Sequence, residues 1–416
     1  MVPGRSTASA RPLQARGPSP GGRSADRRTI LVMATVQVAV GLGFYSVFAH
    51  VVAHLRDGVG LAAGTIGLVL GARLLIQYAL LLPVGALTDA LGAPRAGTLA
   101  CVLRACGFAL LGTADGLAGL TAAAVLLGAG GAVYHPAAQS VVAGLSPARR
   151  SGGYGAYLVG GHVSAVVGPP AGLVLLGAGG FPALAAAAAA MWAAAAALFL
   201  LLPASSRLPG ASAPRTLTRS IGAVVRDRPF LRFAVIAGPS TLLVGGTTTV
   251  VPLKGFTSGW TTLFFCVAAA VVAAVQPWCA SGGRAGRPGV LRAGLVLSGA
   301  GYLALVPLDG ASLADGLAGG GDTAQAAGLL AAAVLGGLGT GLMQPSIFQV
   351  VARHAPPERV GAYLGTSSFL AGMVAFAGAL AVGALFDAGA AGAAAALSGL
   401  AVLALLAACV RGRLPA

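Results

Sequence analysis

Apolar residues in this chain fall in long unbroken runs rather than in the alternation of a half-buried strand. About 20 mostly apolar residues cross the hydrocarbon core of a bilayer as a helix, and runs of that length follow one another here, separated by short breaks of Gly, Pro or charge. Twelve spans are predicted, at 29–53, 62–87, 96–114, 117–143, 154–176, 181–202, 229–252, 260–280, 289–308, 324–350, 362–386 and 390–410. They are numbered 1 to 12 below. The largest interior break, 203–228, carries Arg207, Arg215, Arg219, Arg226 and Arg228 and divides the spans six and six. The pattern therefore predicts an all-α polytopic membrane protein: a half at 29–202, a basic linker at 203–228 and a second half at 229–410, with tails at 1–28 and 411–416. Residues 1–28 hold Pro, Ser, Gly and six arginines without periodicity and are read as a disordered tail. The apolar run after them is longer than the roughly 7–15 residues of a secretory leader core, so it is read as a retained span.

An internal repeat supports the division. Gly128, Gly130, Pro136, Val141, Val142, Ala143, Pro147, Arg150, Gly152 and Tyr154 recur, at an offset of 209, as Gly337, Gly339, Pro345, Val350, Val351, Ala352, Pro356, Arg359, Gly361 and Tyr363. Earlier in the halves the offset is nearer 194, pairing Pro83 with Pro277 and Gly92 with Gly286. Two pseudo-symmetric six-helix halves are the architecture of a rocking, alternating-access transporter.

Composition sharpens this picture. Of the 416 residues 57% are hydrophobic and 9% charged, and 26 basic against 10 acidic residues give a net charge of +16. In a soluble chain that excess would point to nucleic acid. Here 22 of the 26 basic residues fall on one side of the predicted spans, with both termini, which the positive-inside rule makes cytoplasmic. The charge is thus a topology signal for a multi-pass protein of the cell membrane, and no nucleic-acid partner is expected. The one lysine, Lys254, is followed by Gly255, which excludes a phosphate-binding G-x-x-x-x-G-K-[ST] loop and with it an ATP-driven pump of that type. The five cysteines have no metal-ligand spacing and are read as buried hydrophobes. His50 and His54 have the spacing of a zinc helix but lack its Glu at position 51, so neither a metal nor another cofactor is expected.

Three stretches carry candidate chemistry. Between spans 2 and 3 stands Gly85-Ala-Leu-Thr-Asp89-Ala-Leu-Gly92-Ala-Pro-Arg95; its glycines allow close helix approach and a tight turn, and Asp89 can pair with a base or a helix N-terminus. Span 5 contains Ser164-Ala-Val-Val-Gly168-Pro169-Pro170-Ala-Gly172, in which small residues permit close packing and proline bends the helix, suiting a hinge against span 8. Spans 2 and 3 carry Arg73, Gln77 and Arg104 inside apolar runs, the two arginines at similar depth and Gln77 one turn from Arg73. A charge at mid-bilayer faces a cavity or a partner as a rule.

The first stretch resembles the loop signature G-x-L-x-D-x-x-G-x-x-R of the major facilitator superfamily. Alanine at positions 90 and 93, where that family has basic residues, weakens a charge relay through it. The second resembles the G-x-x-x-G-P-x-x-G signature of the drug:proton antiporter branch, with Ser164 in place of the first Gly. Gly71-Ala-Arg73-Leu-Leu-Ile-Gln77 and Arg104-Ala-Cys-Gly107-Phe108 are similar to the multidrug-resistance members of the same superfamily. The resemblance implies twelve spans, alternating access and proton-coupled efflux. It also implies a cavity lined by spans 1, 4, 7 and 10, to which Gln37, Tyr45, Tyr134, His135, Gln139, Ser240, Thr241 and Gln344 would contribute.

None of the ten carboxylates lies within a predicted span. A desolvated cation needs an opposite charge, so two arginines without an acid favour a neutral or anionic substrate. With no acid available, His135 and His162 are the candidate proton carriers. Uptake of a small nutrient, proton-coupled or facilitated, stands as the alternative within this class. A receptor, scaffold or intramembrane enzyme would call for a soluble domain or an intramembrane nucleophile and base, and neither is found in the sequence.

Overall fold

The computed structural model describes residues 20–202, 222–313, 322–356 and 359–410. Every regular element among them is helical. Hydrocarbon offers the backbone no hydrogen-bond partners, so a chain this apolar (mean hydropathy +0.87) must close its hydrogen bonds within each span.

Span 1 runs through Pro20–Phe48, Val51–Ala53 and a π turn at His54–Gly58. Its helix thus begins inside the segment the sequence assigns to a tail; residues 1–19, the linker up to 221 and the tail from 411 lie outside the described residues. Span 2 is broken at Leu80 into Ala63–Ala79 and Leu81–Leu91, where Pro83 cannot donate to the Ala79 carbonyl. Spans 3 and 4 are Ala93–Leu111 and Leu117–Ala143. Spans 5 and 6 follow within Pro147–Leu200, separated where Gly179 and Gly180 leave helical geometry; Gly180, at φ 70, adopts a left-handed conformation that costs glycine little. Span 7 is broken at Gly238 into Arg228–Ala237 and Pro239–Leu253. Spans 8 to 12 are Ser258–Ala280, Pro288–Leu305, Thr323–His354, Val360–Asp387 and Ala390–Cys409. Ten described helices are long and apolar enough to cross a membrane. The interrupted span 2, and the pair joined at Gly179, complete the predicted twelve.

Each half buries its own apolar core, one reaching from Met33 to Leu202 and the other from Val224 to Ala408. Large apolar side chains also point outward, with Leu31 70% and Val174 72% exposed, as the surface of a protein dissolved in lipid requires. Of the cysteines read as buried, Cys101 and Cys279 are so, but Cys106 and Cys409 are exposed on helices whose outer faces are apolar.

The sequence repeat is a repeat of contacts. A Cβ on Gly128 would meet the Arg73 carbonyl and the Ile76 side chain of span 2, and one on Gly337 would meet the Ala268 carbonyl and the Val271 side chain of span 8. Gly130 packs on Ala100 and Arg104 of span 3, and Gly339 on Gly294 and Ser298 of span 9. Small residues at these crossings bring the backbones together where lipid gives no hydrophobic drive for association. Replacing Gly128 or Gly337 with Val should overpack its crossing at a cost of about 1–3 kcal/mol, lowering the thermal unfolding midpoint in detergent by a similar amount for both. An unaffected midpoint in either would show that the two crossings are not equivalent.

Candidate functional site

Between the halves lies a cavity of about 540 Å³. Of the residues the sequence assigns to it, Gln37, Tyr45, Tyr134, His135, Ser240, Thr241 and Gln344 line it, with His162. Gln139 does not; it lies one turn beyond His135, exposed, and its carbonyl accepts a hydrogen bond from Tyr154. The repeat relates His135 to Gln344 and Gln139 to Phe348, and all four side chains are exposed on the lengths of spans 4 and 10 nearer the basic loops. Periodicity did not single out the aromatic wall of the cavity, Phe44, Phe48 and Trp192, from ordinary core.

Arg73 and Arg104 meet at this cavity, both buried. Arg73 donates to Gln77 Oε1 from Nη1 at 3.3 Å, and Arg104 donates to the same oxygen from Nη2 at 3.3 Å. Each Nε is buried without a partner among the described residues. The guanidinium of Arg73 lies 4.7 Å from the ring centroid of Phe48, and that of Arg104 lies 4.8 Å from Trp192 and 5.3 Å from Phe44. Ring faces stabilise a cation by about 0.5–2 kcal/mol each, which spreads positive charge over the wall without neutralising it. Among the described residues no carboxylate lines the cavity.

Span 3 stands behind span 4, and two glycines let its arginine through. A Cβ on Gly130 would strike the Arg104 stem, and one on Gly131 would strike both its Nη2 and Gln77 Oε1. In the second half the residues at the corresponding contacts are Ala268 and Ser298, so the repeat leaves its charges on one side only.

The span 5 motif divides its contacts between span 1 and span 8. Its small residues face span 1: Ser164 packs on Gly41, its hydroxyl shared between the Gly160 carbonyl of its own helix at 2.8 Å and the Val38 carbonyl at 3.1 Å, while Gly168 and Gly172 pack on Tyr45 and Ser46. The prolines supply the link to span 8. Pro170 has no N–H to give the Val166 carbonyl, and Cys266 Sγ of span 8 donates to that oxygen at 3.3 Å. His50 Nε2 donates to the Pro169 carbonyl at 3.1 Å. In the loop motif, Gly92 makes the turn between spans 2 and 3 at φ 79; the side chains at Gly85 and Asp89 lie outside the described residues, and Arg95 forms no described contact.

On the side away from the basic loops the halves are tied by two charge-to-helix-end contacts. Arg56 at the end of span 1 donates to the Pro252 and Leu253 carbonyls that end span 7, at 2.7 and 3.2 Å. Asp387 at the end of span 11 accepts from the Ala63 and Gly64 amides that begin span 2, at 2.7 and 2.8 Å. Each places a charge against the helix pole of opposite sign and satisfies groups a helix leaves open at its ends. Span 2 then runs against span 11 through Gly67 on Ala379 and Gly71 on Phe376. The far side is closed.

On the basic side Asp227 caps span 7 through the Phe230 amide at 3.1 Å and accepts from His354 Nε2 and Tyr363 Oη, both at 2.8 Å. Burial pushes its carboxyl upward, but these bonds outweigh burial and hold it below the ordinary carboxylate value. The sequence places His354 in a loop; it ends the span 10 helix and ties that span to span 7.

Twelve helical spans in two repeated halves, closed at one end around a mid-depth cavity, define a polytopic membrane fold of the alternating-access kind. The chain belongs to the Major Facilitator Superfamily, whose family model matches residues 33–313. It is 31% identical over 215 residues to the multidrug resistance protein MdtH of Aeromonas hydrophila, covering 49% of this chain and 51% of that protein. It is 29% identical over 203 residues to an uncharacterized MFS-type transporter of Mycobacterium tuberculosis, covering 49% of this chain and 48% of that one. The chain thus spans about half the length of the curated relatives it matches. Among solved structures it resembles the nucleoside transporter NupG, with a TM-score of 0.73 and 12% identity over 91% of this chain and 97% of that one. It also resembles the human organic anion transporter MFSD10, with a TM-score of 0.62 and 19% identity over 92% and 98%. At these identities the likeness is one of fold.

Two outcomes follow from the geometry. Removing both far-side ties with Arg56→Ala and Asp387→Ala should open that end, so that a cysteine placed at Gly245 reacts with an impermeant thiol reagent from the far side at least tenfold faster than in the otherwise unchanged protein; equal rates would show that the glycine seam alone keeps it shut. Because the Asp227 carboxyl is held low, its contribution is present above about pH 4 and lost as pH falls below that range. Amide protection factors at the span 7 and span 10 ends, taken relative to the intrinsic exchange rate at each pH, should therefore fall in acid, and Asp227→Asn should lower them at neutral pH.

Proposed function

We propose that this protein is a secondary active transporter that exports a small hydrophobic organic compound, neutral or anionic, in exchange for protons, without ATP and without enzymatic chemistry. The carrying observation is the Arg73–Gln77–Arg104 cluster: two guanidiniums at one cavity wall, sharing one neutral oxygen, with their Nε groups unpartnered. A carboxylate or similar anion would supply the missing acceptors, since guanidinium pairs bidentately with planar oxyanions. The aromatic residues around it suit an apolar body on the same molecule.

The placement of basic residues supports a cell-membrane protein with both termini in the cytoplasm. On that orientation the closed side is the outer one. His135 and His162 both line the cavity and supply the proton-carrying groups of this reading. Export rather than uptake draws support from the relative described as a multidrug resistance protein.

Purified protein in liposomes, given an imposed pH gradient and a panel of aromatic carboxylates, neutral aromatics and quaternary ammonium dyes, tests the reading. Saturable flux of the carboxylates should follow the gradient, and Arg73→Ala or Arg104→Ala should weaken it about tenfold or more, the worth of one charge-assisted hydrogen bond. Saturable efflux of the dye, or flux indifferent to the gradient, would refute the substrate class or the coupling respectively. Replacing His135 and His162 together with Ala should abolish gradient-driven accumulation while leaving exchange of substrate for substrate intact.

A further inference from the structure

Away from the central cavity, spans 7, 9, 10 and 12 leave a second concavity, a groove of about 910 Å³. Its rim on the basic side holds three arginines. Arg228 and Arg232 stand one turn apart on the first helix of span 7, and Arg292 stands just over one turn into span 9. All three are exposed, and none has a hydrogen bond or ion pair among the described residues. The nearest acid in sequence, Asp227, is turned away to His354 and Tyr363. Below the rim the walls are apolar, with Ile236, Leu295, Ile347 and Ala407, and the floor is Ser240. Twelve residues separate Arg228 from Ser240, about 18 Å of helix. Val235 on the wall is 60% exposed, so the groove is open along its flank.

We propose that this groove binds an anionic phospholipid of the leaflet on the basic side, which is the cytoplasmic leaflet on the orientation proposed above. The charge pattern selects the occupant. Three guanidiniums at helix starts, unpaired among the described residues, lie at the depth of lipid headgroups, where basic pockets between spans take phosphate esters. A free anion would leave the apolar length below the rim without a partner, whereas an acyl chain covers it. The phosphate sits between Arg232 and Arg292, with Arg228 at the outer edge, and a chain descends along Ile236 and Leu295 toward Ser240. Ser240 also lines the central cavity, and the break in span 7 at Gly238 lies beside it. The bound lipid therefore rests against the shorter, jointed segment of a cavity-lining span.

Lipid retention read by native mass spectrometry, on protein in mixed micelles of phosphatidylglycerol and phosphatidylcholine with matched chains, tests this without reference to transport. Phosphatidylglycerol should be retained at least tenfold over phosphatidylcholine. Arg232→Gln with Arg292→Gln should weaken that preference about fivefold per arginine, while the corresponding Lys pair keeps most of it. Arg150→Gln, on the same side but in the other half, should change nothing. Leu295→Trp, which fills the groove, should reduce retention of both lipids. Glycerol phosphate in excess should fail to displace the lipid. An unchanged phosphatidylglycerol preference in the Gln pair, or displacement by glycerol phosphate, would overturn the proposal, the latter by showing a site for free anions. If the Gln pair is aggregated, the Leu295→Trp and Lys-pair results decide the question.

Discussion

Placing a guanidinium at mid-bilayer costs at least about 2.5–3.5 kcal/mol, and this chain does it twice, at Arg73 and Arg104, without a carboxylate among the described cavity residues to offset either. What stabilises the pair is distributed: one amide oxygen of Gln77, the faces of Phe44, Phe48 and Trp192, and the cavity itself. The local architecture of the first half follows from accommodating them. Gly130 and Gly131 open span 4 to admit Arg104 from span 3, and Gly128 brings span 4 onto the backbone of Arg73. The second half keeps Gly128 as Gly337 and Gly130 as Gly339, packed on Ala268 and Ser298, but has Thr340 where the first half has Gly131, so Gly131 is the provision particular to the arginines.

Charge is handled in the opposite way at the closed end. Arg56, paired with Asp57 through two hydrogen bonds, and Asp387 are each set against a helix pole, so both are compensated, and each crosses from one half to the other. A contact of this kind is strong while formed and can be replaced by water when broken, which suits a tie that must open. The cavity charges have no such replacement within the protein. In the proposed cycle the ties hold the conformation, and the uncompensated pair creates the demand for an anionic ligand.

A carbonyl left open by a proline shows the same economy. The oxygen that Pro170 leaves open on Val166 is taken by Cys266 of span 8, and the break ahead of Pro239 in span 7 lies beside Ser240, which the central cavity shares with the basic-rimmed groove. Bends in spans 5 and 7 thus sit where the halves meet each other or where lipid reaches the cavity wall.

The twelve spans, the division into halves and the repeat were legible in the sequence because they rest on local physics. A 20-residue apolar run must be helical in lipid whatever surrounds it, and a duplicated packing surface keeps its glycines at a fixed offset. Arg73, Gln77 and Arg104 stood out for the same reason, as polar groups in an apolar run. That they share one oxygen was not legible, since a peripheral helix reaches the cavity only if the helix in front lacks side chains at the crossing, and that depends on how spans 3 and 4 are rotated against each other. Nor was the direction in which the span 5 glycines face, the pairing of Asp387 with span 2, or the tie from His354 to Asp227. Composition and periodicity fix what each segment must be in a bilayer; which faces meet is decided by close packing between helices, whose crossing geometry is set by the whole bundle at once.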